Sequence, residues 1–189
     1  MKDILAVDVG ATKLAVARVA SDGVIKKRSS TPTQSNDGEE LFRKLVSLSE
    51  EVLEGTEVDG CGVGSAGPMT NNGEEISPLN IPQWRNFPLR SKLSEALGVP
   101  VALDNDAKAI ALGEGWIGAA SEDKNYLAMV VSTGIGGGFV IDGKLLDGET
   151  GNAGHIGHIN VEPGGPLCVC GASGCLEAVA SGGAIEKET

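Results

Sequence analysis

The most constraining feature of the sequence is a cluster of metal-binding residue types near its end. Residues 155–177 hold both histidines of the chain and three of its four cysteines. One imidazole and three thiols form the ligand set of a closed tetrahedral zinc site. The candidate ligands are His158, Cys168, Cys170 and Cys175. A site with four protein ligands has no open position for a catalytic water, so the sequence predicts a structural zinc ion that folds a glycine-rich loop.

Disulfide bonds are the alternative explanation for these cysteines. Three cysteines in the cluster leave one over, and Cys61 lies far away in an apolar run. Disulfide frameworks are also typical of short secreted chains, whereas we expect this chain to be cytoplasmic and to lack a signal peptide. Structural zinc is therefore the favoured interpretation.

Composition excludes several classes of function. The chain has 189 residues, 41% of them hydrophobic, and a mean hydropathy of +0.01, values typical of a globular protein. Only 3% of the residues are aromatic and the net charge is −11, so stacking on bases and binding to a phosphate backbone are disfavoured. We expect no nucleic-acid partner and no membrane partner, because no apolar stretch reaches the length of a bilayer span.

Hydrophobic patterning predicts an α/β domain over residues 1–120. Alternating or continuous apolar runs indicate strands, and apolar positions at helical spacing indicate helices. The predicted strands are 3–9, 14–20, 24–31, 58–67 and 99–106, and the predicted helices are 37–55, 89–97 and 107–118.

The pattern then starts again and predicts a second, incomplete α/β domain over residues 121–189. Here we expect a strand at 126–132, a glycine turn at 132–138 and a second strand at 139–146. A further helix is predicted to begin at Leu176 or Glu177. Much of the remaining sequence is taken up by the predicted zinc loop.

Two turns carry residues suited to phosphate. Glycines let backbone N–H groups approach phosphate oxygens closely, and hydroxyl and ammonium groups add further donors. The first turn offers Asp8, Gly10, Thr12 and Lys13, and the second offers Thr133 and Gly134. Taken singly, each turn could equally be an ordinary hairpin. Together they indicate a nucleotide, with a divalent cation offsetting its charge.

The segment LDND places Asp104, Asn105 and Asp106 between a predicted strand and a predicted helix. Such residues are common helix N-caps, and spacing alone favours that role. A carboxylate in this place could instead be a general base that accepts the proton of an attacking hydroxyl. Because the same chain also carries two candidate phosphate turns, the general-base role is favoured. His155 and Glu177 flank the zinc ligands and could bind a polyol or merely support the loop.

Taken together, these motifs resemble those of the ROK family of bacterial sugar kinases and related repressors. DVGATK is similar to the first phosphate motif of the family, LDNDAKAIALGE to its catalytic-aspartate segment, STGIGGG to its second phosphate motif, and GHIGHI with CVCGASGCLE to its zinc signature. The resemblance implies an actin-like ATPase (ribonuclease H-like) fold with a complete first domain and a partial second domain. It also implies ATP with Mg²⁺, a structural Zn²⁺ and a homodimer.

The family also implies roles for individual residues. Asp106 would be the catalytic base toward a sugar 6-hydroxyl, and His158 would both ligate zinc and touch the sugar. The implied sugar-binding residues are Gly67, Asn80, Asn105, Asp106, His155, His158 and Glu177. Asp8, Gly10, Thr12, Lys13, Thr133 and Gly134 would face the ATP phosphates and magnesium.

Departures from the family pattern leave alternatives open. Most glucokinase-like members carry glutamate where this chain has His155, and N-acetylmannosamine kinases resemble the chain at this position. Family members also continue well beyond 189 residues. The sequence therefore predicts a glucokinase-like hexose kinase, with an N-acetylmannosamine kinase or a catalytically inactive sugar-binding fragment as alternatives. Transcriptional repression is disfavoured, because no winged helix is expected before the first strand.

Overall fold

A computed structural model of the chain describes residues 2–70 and 73–188. Asn71 and Asn72, in the predicted loop after the fourth strand, lie outside the described residues. Contacts divide the chain into two compact units, Met1–Asp106 and Ala107–Thr189. Both units contain strands and helices, which confirms the α/β class. The division lies at the start of the helix that the sequence analysis placed at the end of the first domain.

The first unit is built on a five-stranded mixed sheet. Its strands are β1 (Asp3–Val9), β2 (Lys13–Val19), β3 (Ile25–Pro32), β4 (Val58–Ser65) and β7 (Val101–Asn105), in the order β3-β2-β1-β4-β7. β1, β2 and β3 form an antiparallel meander, whereas β4 and β7 run parallel to β1. These strands match the predicted ones to within two residues. The carboxyl ends of β1, β4 and β7 therefore meet at one edge of the sheet.

One face of this sheet forms the core with helix α1 (Gly38–Leu53) and helix α2 (Leu89–Leu97). Leu41, Leu45, Leu48 and Val52 recur at helical spacing on α1 and are buried. The helix begins where the Asp37 carboxylate accepts a hydrogen bond from the Glu39 amide at 2.9 Å, as an N-cap does. The predicted amphipathic helix therefore forms where its pattern placed it.

The connection between β4 and α2 is more structured than the sequence indicated. It contains a two-stranded ribbon of β5 (Met69–Thr70) and β6 (Glu75–Ile76), which the sequence analysis did not predict. Trp84 in this connection is completely buried. Its indole stacks on Phe87 with centroids 4.9 Å apart, and its Nε1 donates to the Gly38 carbonyl at 3.0 Å. This connection is thus part of the first unit's core.

The second unit begins with most of helix α3 (Asp106–Ile117) and a three-stranded antiparallel sheet. The strands are β8 (Tyr126–Val131), β9 (Ile135–Ile141) and β10 (Lys144–Leu145). The glycine turn predicted at 132–138 and the strand predicted at 139–146 are wrong in their bounds, because the turn ends before Ile135 and Gly136, Gly137 and Gly138 lie inside β9. A Cβ on Gly138 would come within 2.6 Å of the Ala111 Cβ, so this glycine lets α3 pack closely on the strand.

The rest of the second unit has little regular structure. A 3₁₀ helix spans Ile156–His158, and helices α4 (Leu176–Ala180) and α5 (Gly182–Glu188) follow the cysteine loop. The helix predicted to begin at Leu176 or Glu177 is confirmed as α4. Among the described residues, every helix is too short or too polar to cross a lipid bilayer.

Candidate functional site

Polar residues gather at the carboxyl edge of the first sheet. Asp8 on β1 is paired with Gly64 on β4, which is paired in turn with Asp104 on β7. One step further along, Ser65 is opposite Asn105, and Asp106 begins α3 directly after β7. In open α/β sheets, ligands bind outside the carboxyl ends of the parallel strands. The first unit therefore carries its candidate site at this edge.

The β1–β2 turn borders the same edge. The Gly10 amide donates to the Lys13 carbonyl at 3.1 Å and closes the turn around Ala11 and Thr12. Thr33, just after β3, fixes the turn from behind, since its amide donates to the Thr12 carbonyl at 3.1 Å and its hydroxyl to the Ala11 carbonyl at 2.8 Å. Thr12 and Lys13 themselves remain exposed and available to a ligand. Sequence reasoning did not identify Thr33 as the support of this turn.

Asp106 lies close enough to Asp8 for its negative charge to act on the Asp8 carboxylate. Partial burial of the carboxylate raises the pKa of Asp8, and the negative charge of Asp106 raises it further, whereas the Lys13 ammonium lowers it. Two carboxylates beside one ammonium leave an excess of negative charge at this edge. Hard divalent cations such as Mg²⁺ prefer carboxylate oxygens, so the donor set suits such an ion together with a phosphate.

We expect Asp8→Asn to stabilise the ligand-free protein and to reduce the stabilisation that Mg²⁺ gives. A carboxylate whose pKa is higher in the folded state than in the unfolded state lowers the free energy of unfolding. This loss develops as the pH rises from the unfolded-state pKa, about 3.9, through the folded-state pKa. The amide removes this cost, so at pH 7 the midpoint of thermal unfolding should rise by about 1–2 °C. Below about pH 4 the gain should vanish, because Asp8 is then protonated in both states.

Thermal unfolding across pH with and without Mg²⁺ measures this effect, with Asp123→Asn at an exposed position as the matched control. A lower midpoint for Asp8→Asn at pH 7 would contradict the electrostatic explanation.

The turn between β8 and β9 is held by residues that follow the cysteine loop. The Ser132 amide donates to the Gly134 carbonyl at 2.9 Å, and Glu177 Oε2 accepts a hydrogen bond from the Ile135 amide at 2.8 Å. Gly134 lies directly against that carboxylate, where a Cβ would collide with it. The Gly182 amide also donates to the Ser132 carbonyl at 2.7 Å. Glu177, predicted to bind a sugar, therefore supports the turn that the sequence predicts to bind phosphate.

The four predicted metal ligands come together in the second unit. One ligand atom from each of His158, Cys168, Cys170 and Cys175 lies within 4.8 Å of all the others. His158 Nδ1 is 3.6 Å from Cys168 Sγ, and the sulfurs of Cys170 and Cys175 are 3.7 Å apart. Tetrahedral zinc, with bonds of about 2.3 Å to sulfur and about 2.0 Å to nitrogen, requires edges of about 3.7 Å between sulfurs and about 3.5 Å between sulfur and nitrogen. The donor set and its spacing fit a zinc ion.

All four cysteines of the chain are free thiols, so the disulfide alternative finds no support. Burial raises the pKa of the Cys61 thiol in β4 to about 12, as expected of an inert core cysteine. Cys175 is also fully buried, and its pKa is raised to about 12 by burial and by the neighbouring sulfurs. Metal binding would remove that proton, since only the thiolate ligates zinc.

The backbone of the cysteine loop is folded around these ligands. The Cys168 amide donates to the Ala172 carbonyl at 2.7 Å, and Leu176 donates to the Ile159 carbonyl at 2.9 Å. His155 is exposed just before the 3₁₀ helix, with its ring centroid 6.2 Å from that of His158. The His155 and His158 imidazoles therefore lie close together in the second unit.

The remaining predicted site residues lie in the first unit's connections. Gly67 follows β4 at the carboxyl edge of the sheet, and Asn80 is exposed between β6 and α2.

Sequence reasoning missed a further polar residue, Lys108, whose side chain is only 1% exposed. Its signal was a charged residue between Ala107 and Ala111, two buried positions on α3.

Comparisons with known proteins agree with these motifs. The sequence model of the ROK family matches residues 4–189. A glucokinase from Thermotoga maritima is 42% identical over 186 residues, covering 97% of this chain and 59% of the relative. An N-acetylmannosamine kinase from Citrobacter koseri is 40% identical over 182 residues, covering 96% of this chain and 62% of the relative.

Among solved structures, a ROK family glucokinase from Streptomyces griseus in complex with glucose and AMPPNP has a TM-score of 0.87 at 35% identity, covering 98% of this chain and 59% of that one. This likeness confirms the expected actin-like ATPase fold. The chain spans about three fifths of the length of the relatives it matches.

Proposed function

The chain belongs to the ROK family, and we propose that it carries the general base and the phosphate-binding turns of an ATP-dependent hexose kinase of the glucokinase type. The observation that carries this proposal is the placement of Asp106. It follows the parallel strand β7 at the carboxyl edge of the sheet, and its negative charge raises the pKa of Asp8 beside the β1–β2 turn. The names of the T. maritima and S. griseus relatives support the substrate class.

In this reaction Asp106 accepts the proton of the sugar 6-hydroxyl as its oxygen attacks the γ-phosphorus of ATP. The bond between that phosphorus and the bridging oxygen breaks, and ADP leaves with the electron pair. The Lys13 ammonium, the Thr12 hydroxyl and the Gly10 turn stabilise charge on the phosphate oxygens. Mg²⁺, when bound, offsets phosphate charge, and Asp8 is the residue we assign to hold it.

The second unit supplies a phosphate turn and sugar-binding groups. Thr133 and Gly134 lie in the turn that faces phosphate, and Glu177 supports this turn through the Ile135 amide. His158 Nδ1 faces the sulfurs, so its other ring nitrogen is the one we assign to the sugar. We assign Gly67, Asn80 and Asn105 to the sugar as well. Zinc, when bound, fixes the orientation of the His158 ring.

An N-acetylated sugar is the second candidate substrate, and one observation favours it. His155 occupies the position where glucokinase-like relatives are expected to carry a carboxylate, and it is exposed beside His158. An imidazole can donate or accept a hydrogen bond, whereas a carboxylate only accepts one. The C. koseri relative is named as an N-acetylmannosamine kinase, which supports testing this sugar beside glucose.

A direct test measures ADP release with glucose and with N-acetylmannosamine, using this chain and a version extended to the length of the relatives. We expect phosphorylation of at least one sugar with kcat of about 1–100 s⁻¹, the usual range of kinases. The control substrate is 6-deoxyglucose, which lacks the acceptor hydroxyl and should give no ADP above background.

The outcomes separate the alternatives. Turnover of neither sugar by either version would contradict the kinase proposal. Sugar binding without turnover would instead support the non-catalytic sugar-binding alternative. Turnover confined to the longer version would assign the remaining groups to the part of the relatives that lies outside the matched region.

A further inference from the structure

Lys108 is a buried cation that the proposed phosphoryl transfer does not use. It lies in the first turn of α3, and only 1% of its side chain is exposed. Lysine is among the residues least often buried, because removing an ammonium from water is costly unless hydrogen bonds and an opposite charge compensate. A fully buried lysine therefore indicates that its partners matter to the structure around it.

Two partners of Lys108 lie in one short segment, residues 147–154, which connects β10 to the 3₁₀ helix. Lys108 Nζ donates to Asp147 Oδ1 at 2.8 Å and to the Gly151 carbonyl at 2.8 Å. The Asp147 side chain is 60% exposed, so the contact runs from the interior of the second unit to its surface. Lys108 thus holds Asp147 and Gly151, in the first half of the segment, against α3.

Backbone hydrogen bonds within the 147–154 segment give it its shape, and its last residue packs against β9. The Ala153 amide donates to the Asp147 carbonyl at 3.0 Å, and the Gly151 amide approaches the Gly148 carbonyl at 3.5 Å. Gly154 has φ of +98° and lies against the Gly137 carbonyl, where a Cβ would collide. These contacts fold the segment into a compact turn, but the Lys108 bonds tie that turn to a helix.

The segment leads directly into His155, the exposed residue that we assign to the sugar. Ile156, the next residue, is buried, so the chain is anchored on the far side of His155. On the near side, the 147–154 segment is bound by Lys108 at Asp147 and Gly151 and packs against β9 at Gly154, so Lys108 contributes to its position. A shift of about 1 Å in a group that touches substrate can change rates or affinity severely, so such an anchor affects function.

We propose that Lys108 is a positioning residue that clamps the 147–154 segment and thereby sets the place of His155 for sugar binding. Lys108 does not touch sugar or ATP in this assignment. The sugar part of the inference rests on the proposed kinase function, whereas the clamp itself is a property of the second unit alone.

The test replaces Lys108 with methionine, which fills a similar volume without charge, and with arginine, which retains the charge. Two further variants keep the experiment decisive if the buried methionine prevents folding. Asp147→Asn removes one partner's charge at an exposed position, and Lys124→Met is a matched control on an exposed lysine.

The first readout is amide hydrogen exchange of residues 148–154, which requires no activity. We expect exchange there to be roughly tenfold faster in Lys108→Met and faster to a lesser degree in Asp147→Asn, with no change in Lys124→Met. Unchanged exchange in both clamp variants would overturn the clamp.

The second readout is the kinetic split between sugar and nucleotide. We expect KM for the sugar to rise roughly tenfold in Lys108→Met, while kcat and KM for ATP change by less than about twofold, with partial recovery in Lys108→Arg. An equal loss in every constant would indicate general destabilisation and overturn the positioning role, as would an unchanged sugar KM beside faster exchange. If the parent protein neither binds nor phosphorylates a sugar, the proposed function fails and the sugar part fails with it, while exchange still decides the clamp.

Discussion

The Asp106→Asn variant should lose roughly 10³-fold in kcat for sugar phosphorylation, within the range of about 10²–10⁴ that a general base contributes. Asparagine cannot accept the hydroxyl proton, yet it caps a helix about as well as aspartate does. Because Asp106 is the first residue of α3, this substitution separates the two roles that the sequence left open. If Asp106 is the general base, the variant loses turnover but folds normally. If Asp106 is only a helix cap, the variant loses neither turnover nor stability.

Initial rates of ADP release, the midpoint of thermal unfolding and calorimetric sugar affinity together measure this effect. Asp142→Asn provides the matched control, because Asp142 is exposed in a turn at φ of +51°, a conformation that asparagine also tolerates. Both variants should unfold within about 1–2 °C of the parent and bind sugar with similar affinity. Full activity in Asp106→Asn would refute the assignment of the base.

Removing one zinc ligand should have the second large effect. We expect Cys175→Ser to lose its bound zinc and to bind sugar at least about tenfold more weakly. Even mutating the residues that orient metal ligands typically lowers metal affinity or activity by about 10–100-fold. Cys175 is completely buried and directly precedes α4, which carries Glu177. Losing this ligand therefore disturbs His158 on one side and Glu177, with the turn it supports, on the other.

Zinc content by elemental analysis, thermal unfolding and sugar affinity measure the effect. Structural zinc contributes an apparent binding free energy of about 10–16 kcal/mol in zinc-finger peptides, so a clear drop in the unfolding midpoint is expected. Cys61→Ala is the control, because Cys61 is a buried thiol in β4 and not a candidate ligand. It should lose some core packing yet retain one zinc ion. Zinc-free protein with unaltered sugar affinity would contradict the link between metal and sugar.

The first unit was the more predictable part of the fold. Leu41, Leu45 and Leu48 repeat at helical spacing, and Leu5, Val7 and Val9 alternate along β1, so each element's buried face is visible in its own sequence. The β5–β6 ribbon was missed because its strands have two residues each, too few for any periodicity to appear. Local patterns identify elements only when they are long enough to show a repeat.

The glycines of the second phosphate motif show a different limit. Gly134 lies in the turn and touches Glu177, whereas Gly136 and Gly138 lie in β9 and give room to α3. All three look alike in sequence, because a missing side chain can serve a ligand, a turn or a neighbouring helix. Only the positions of Glu177, Ala107 and Ala111 distinguish these uses.

The sequence by itself determined which residues could do chemistry: the Cys₃His ligand set, the two phosphate turns and the carboxylate that follows β7. Residue type and spacing suffice for this, because they depend on the chemical properties of a few neighbouring side chains. Only the tertiary structure decided that the cysteines are free and lie together with His158, that Glu177 holds the Ile135 amide, and that Lys108 is buried against residues 147–154. The last two facts join residues about 40 positions apart, and such distances are set by packing rather than by any local pattern.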